Sequence, residues 1–190
     1  GRPVVFDPVG VGASRFRNET AAMLLREVRF DVIKGNISEI AYLAEGIGTT
    51  KGVDANLDAL STEGNLRWHT DLARKVSTQT GAAIVISGPI DIVADSHEAW
   101  AIRNGHPNIT GTGCMSAGVI GCCVGADPQA LLPSCVCAMS AMGICGELAY
   151  EKLLSVDGGS GTYRVLLMDA MSKLDGATLT RRSKAERLRI

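Results

Sequence analysis

The stretch Asp31–Ala44, DVIKGNISEIAYLA, changes period in its middle. Asp31 to Lys34 reads as a short strand, and after Gly35-Asn36 the residues Ile37, Ile40, Ala41 and Ala44 recur at helical spacing. Glu39 therefore stands near the first turn of a helix that leaves a strand directly. Upstream, Pro3 to Phe6 is another apolar strand, ending at Asp7 and the turn Pro8-Val9-Gly10-Val11-Gly12-Ala13. Between the two, Asn18 to Val28 puts Ala21, Leu24, Leu25 and Val28 on one helical face behind an Asn18 cap. Strand, helix, strand, helix points to a layered α/β fold with a mostly parallel sheet.

The rest of the chain continues the alternation. Residues 46–65 read as a loop with a possible short strand at Gly52-Val53, and a helix follows with Trp68, Leu72, Ala73 and Val76 on its inner face. Ala82 to Ser87 is a fully apolar strand closed by Gly88-Pro89, and Asp91–Asp95 with Glu98–Arg103 forms a hairpin. After the loop Asn108–Gly113, a helix from about Cys114 to Val124 and a second one to about Tyr150 flank the break at Asp127-Pro128. A last helix carries Tyr163, Leu166, Leu167, Ala170 and Leu174 on one face. One domain is expected over residues 1–180, followed by a solvated basic tail, 181–190, in which Arg181, Arg182, Lys184, Arg187 and Arg189 face only Glu186.

Composition narrows the function. The 190 residues are 46% hydrophobic and 21% charged with a net charge of -1, so a real core is available and the electrostatic basis of nucleic-acid binding is missing. Six cysteines lack the spacing of a zinc site and read as reduced, cytoplasmic thiols. Two charge-free windows, 104–126 and 128–146, raise a membrane helix, but Pro107, Asn108, Pro133 and the many Gly, Ser and Thr favour a buried helix pair. His69, His97 and His106 are scattered and read as surface residues.

Four polar turns fall at strand ends, where open α/β sheets bind ligands: Asp7–Ala13, Lys34–Glu39, Ser87–Pro89 and Thr110–Cys114. Gly111 and Gly113 allow close backbone approach at a helix start, which suits a phosphate. A thiol there, Cys114, is placed for reactivity or proton transfer. Asp7 and Glu39 suit a magnesium ion held by few protein ligands, or else serve as turn and helix-start caps. Lys34 can reach a phosphate as a point charge.

Together the four turns, with Lys51-Gly52-Val53-Asp54 and Asn104-Gly105-His106, resemble the hydroxyethylthiazole kinase family of the ribokinase-like superfamily. Asn36-x-x-Glu39 is similar to the superfamily's magnesium motif and Gly111-x-Gly113 to its anion hole, with Cys114 where most relatives carry Asp. The resemblance implies ATP-dependent phosphorylation of the alcohol of 4-methyl-5-(2-hydroxyethyl)thiazole, a step in thiamine biosynthesis and salvage, in a cytoplasmic homotrimer. It implies that Asp7 and Glu39 hold Mg²⁺, that Lys34, Ser87 and Gly113 contact ATP, that Gly111 lies against the thiazole, and that Cys114 sits beside the reacting hydroxyl. Glu39→Gln, taken as loss of a surface carboxylate that costs under about 0.5 kcal/mol, is expected to weaken Mg-ATP use far more than folding. Family members carry further βα units before the Asp-Pro-Val-Gly turn, so the chain is expected to be the C-terminal two thirds of the family domain and inactive by itself. The competing expectations are a catalytically silent nucleotide-binding or assembly domain, another ribokinase-like small-alcohol kinase, and a hydrolase using Cys114 with His106.

Overall fold

Adjacent residues of the central strands point to opposite faces of the sheet and are buried on both, which is why those strands are apolar without alternation. The computed structural model describes residues 1–46, 63–105 and 112–189. Its elements run β1 (Val5–Phe6), α1 (Arg15–Glu27), β2 (Val32–Asn36), α2 (Ile37–Gly46), α3 (Leu66–Thr80), β3 (Ala83–Ser87), β4 (Asp91–Ala94), β5 (Ala99–Ile102), α4 (Thr112–Ala126), α5 (Leu131–Leu154), α6 (Ser160–Lys173), α7 (Gly176–Arg182) and β6 (Ala185–Arg187). Ile33, Ile84, Ile86 and Ile92 pack on one face against Ile40 and Leu43 of α2 and Ala73 and Val76 of α3. Val32, Val85 and Val93 pack on the other against Ile120 and Val124 of α4 and Cys135, Ala138 and Met139 of α5. The result is the three-layered α/β/α arrangement that the strand–helix alternation predicts.

The sheet is mixed rather than mostly parallel. Its strands lie in chain order, β1 to β6; β1, β2 and β3 are parallel, while β3 to β6 pair antiparallel. The turns after β3 and β4 are too short for a crossover, so each strand there must double back. The basic segment, expected as a solvated tail, stays largely exposed but is ordered: α7 ends at Arg182 and Ala185–Arg187 adds to β5 as the last strand.

Smaller corrections have local causes. Ser14, not Asn18, caps α1, its Oγ accepting from the Arg17 N–H, while Asn18 Oδ1 accepts from Gly12 N–H. On α3 the inner face includes His69, which is fully buried, and leaves Trp68 47% exposed. The rotation follows from Ala73 and Val76, which set that face one residue round. α5 runs on to Leu154; it is long and apolar enough to cross a membrane, yet more than half of that stretch is buried beneath α4, α6 and the sheet. The possible strand at Gly52-Val53, most of the loop before α4, and the motif Lys51–Asp54 lie outside the described residues.

Candidate active site at the carboxyl ends of the strands

The parallel registers bring the sequence-predicted turns to one end of the sheet. Phe6 pairs with Ile33 and Asn36 with Ser87, so Asp7, the end of β2 and the end of β3 emerge side by side. Lys34 lies two residues beyond Val32 and so projects toward the α4 layer. There its Nζ is 3.5 Å from Asp7 Oδ2, and a Cβ built on Gly113 at the start of α4 would stand 3.4 Å from the same Nζ. Lys34, Asp7 and Gly113, from three separate turns, therefore meet. Ser87 Oγ donates to the Gly35 carbonyl at 3.4 Å, joining the ends of β2 and β3.

Asp7 is the carboxylate with capacity left. Its Oδ1 is buried and has no hydrogen-bond partner among the described residues. Burial holds its pKa above the usual carboxylate range; Lys34 pulls it down and Glu39 pushes it up. An orphaned, buried carboxylate oxygen beside a second acidic side chain has the chemistry of a hard-cation ligand.

Glu39 belongs to the same cluster but is engaged. Its Oε2 accepts from Asn36 N–H at 2.7 Å while Asn36 Oδ1 accepts from Glu39 N–H at 2.9 Å, a reciprocal capping box at the start of α2. Its Oε1 accepts from Gly10 N–H at 2.8 Å. Gly10 has a φ of +73°, which only glycine adopts readily, and its amide is thereby turned toward Glu39. The Asn-x-x-Glu motif is thus a helix cap that also clamps the Asp7–Ala13 turn, and any cation would use its remaining lone pairs. Gly35 keeps this packing possible, since a Cβ there would come within 3.1 Å of Glu39.

Cys114 lies exposed on the first turn of α4. Gly111 and His106 fall outside the described residues. Asn104 is buried, donating from Nδ2 to the Arg182 carbonyl and to Glu147 and accepting from Lys184 N–H, which ties the end of β5 to α5 and to the chain entering β6.

Two residues of the site escape the sequence reading. Asp91, at the start of β4, is buried, and its Oδ1 accepts from Gly88 N–H at 2.9 Å. Burial pushes its pKa up to about 7, against the pull of the Gly88 amide and Lys34. The available signal was a charged residue opening an otherwise apolar strand. Arg17 donates to the Val9 carbonyl and braces the Asp7–Ala13 turn from outside, a contact no spacing rule announces.

Comparison with known proteins supplies the context. The model of the hydroxyethylthiazole kinase family matches residues 1–177. A hydroxyethylthiazole kinase of Desulfovibrio desulfuricans is 50% identical, with 100% of this chain aligned to 70% of that protein. One from Clostridium acetobutylicum is 47% identical over 93% of this chain and 66% of its own length. A solved structure of a hydroxyethylthiazole kinase protein from Pyrococcus horikoshii OT3 superposes with a TM-score of 0.78 at 25% identity, covering 98% of this chain and 66% of that one. The chain spans about two thirds of the length of these relatives.

Proposed function

This chain belongs to the hydroxyethylthiazole kinase family, and from that premise we propose that it carries the nucleotide and phosphoryl-transfer end of an enzyme that uses ATP to phosphorylate the primary alcohol of 4-methyl-5-(2-hydroxyethyl)thiazole. A kinase family implies ATP as co-substrate. The observation that carries the reading is the meeting of Lys34, Asp7 and the Gly113 backbone at one end of the sheet. Phosphoryl transfer needs positioning and charge neutralisation more than covalent help from the protein.

Each residue then has a role. Lys34 and the backbone N–H groups at the start of α4 neutralise the phosphates, with Gly113 leaving room for them. Ser87 contacts the nucleotide at the end of β3. Asp7 is the residue that would hold Mg²⁺ through its free Oδ1, with Glu39 lending charge and any lone pair its amide bonds leave. The cation, when bound, supplies neutralisation of the phosphate oxygens. Gly111 lies against the thiazole ring. Cys114 faces the reacting hydroxyl, where a loose transition state asks it to orient the alcohol more than to take its proton. The whole protein works as a homotrimer in the reducing cytoplasm, in keeping with six free cysteines.

The test is ADP release from Mg-ATP by the full-length protein, with and without the thiazole alcohol, beside the 190-residue chain. Thiazole-dependent release is expected of the full-length protein. Its absence there overturns the reading.

A further inference from the structure

Asp91 has no part in the roles given above, yet it stands on the sheet face where Lys34 and Ser87 lie. Ile92 packs toward α2 and α3 and Val93 toward α4 and α5, so Asp91 projects to the same sheet face as Val93, the face that also receives Lys34. Ile86 pairs with Ile92, which makes Ser87 and Asp91 the next cross-strand neighbours at the hairpin's end. Lys34, Ser87 and Asp91 thus occupy three adjacent strands on one face.

We infer that Asp91 is a positioning residue, holding the Lys34 ammonium away from Asp7 while it fixes the Ser87–Gly88 turn through the Gly88 amide. The inference rests on the kinase reading and deepens it. Its support is a comparison of distances. The other six ion pairs among the described residues close to 2.6–2.8 Å, although all of them are more exposed. The Lys34–Asp7 pair, the most buried, stops at 3.5 Å. Low polarity strengthens attraction, so a lone buried pair should close further, not less. A second carboxylate drawing on the ammonium from β4 accounts for the gap, and Lys34 acts on Asp91 electrostatically without reaching ion-pair distance.

Leaving that gap matters for the reaction. An ammonium drawn fully onto Asp7 Oδ2 would withdraw from the phosphates. A hydroxyl at position 91 could accept from the Gly88 amide at lower desolvation cost, so that bond by itself does not call for a buried carboxyl group.

A double-mutant cycle in the full-length protein separates this from a structural role. Asp91→Asn retains an acceptor for Gly88 and removes the charge. It is expected to raise KM for Mg-ATP by about tenfold in the wild-type background and to change it by less than about twofold in a Lys34→Met background, with thermal midpoints followed throughout. Should Asp91→Asn fail to fold, Asp91→Ser carries the same cycle. A KM effect that persists undiminished without Lys34, or none in the wild-type background, overturns the inference. Absence of ATP turnover in the unsubstituted protein is a different result and removes the kinase reading itself, and the role of Asp91 with it.

Discussion

Glu39 Oε1 accepts the Gly10 amide at 2.8 Å across 29 residues of chain, so one buried carboxylate clamps the turn after β1 to the start of α2. That bond reverses an expectation about the residue. Glu39 is 7% exposed and accepts two backbone N–H groups, so it is not the surface carboxylate expected.

Glu39→Gln turns one of two acceptor oxygens into a donor that must face an N–H. It is expected to lower folding stability by about 1–3 kcal/mol as well as to impair Mg-ATP use. Chemical denaturation beside kinetics checks both; a variant as stable as wild type would show that the two amide bonds contribute little.

Gly113→Ala should separate activity from stability in the opposite sense. The added Cβ has ordinary contact with Lys34 Nζ at 3.4 Å, and alanine favours a helix over glycine by up to about 1 kcal/mol. The expected outcome is an unchanged or higher melting temperature with turnover reduced by about tenfold or more, because the methyl occupies the space given to phosphate. Full activity would place the phosphates elsewhere.

His69 is fully buried, neither ring nitrogen has a partner among the described residues, and burial lowers its pKa below the ordinary imidazole range. A depressed pKa contributes stability that is present above the unfolded value of about 6.5 and is lost as pH falls through the folded one. Thermal melts from about pH 7.5 down to 5 should therefore show wild type losing stability more steeply than His69→Phe. Parallel curves would mean that His69 takes up its proton without resistance.

Gly143→Ala is expected to be destabilising by about 1–3 kcal/mol, since a new Cβ would lie 2.5 Å from the Asn104 carbonyl, a backbone atom that cannot swing aside. Denaturant titration reads the cost directly, and a neutral result would require α5 to shift away from β5.

Much of this site was legible because strand ends concentrate chemistry. Asp7, Lys34, Ser87 and Gly113 stand in or beside turns that glycine and polar residues mark in the sequence; parallel registers bring the first three together, and α4 carries Gly113 to Lys34. The engagement of Glu39 was not legible, because its second amide comes from a residue whose position depends on a left-handed glycine. Asp91 was hidden by the hairpin reading, in which a charge at a strand's first residue passes for a turn residue. His69 was misread because helical periodicity alone cannot distinguish its face from that of the adjacent Trp68, which takes the exposed side. Pairing of β6 was invisible for a related reason: a strand of three residues on a sheet edge leaves no apolar pattern.

The strand order has a consequence for how the molecule is made. Because β1 to β6 lie side by side in chain order, no strand has to be inserted between two already paired, and every new strand finds its partner at the growing edge. Synthesis through these six strands can lay each one against the edge already formed, with β6 arriving last, after α4 to α7.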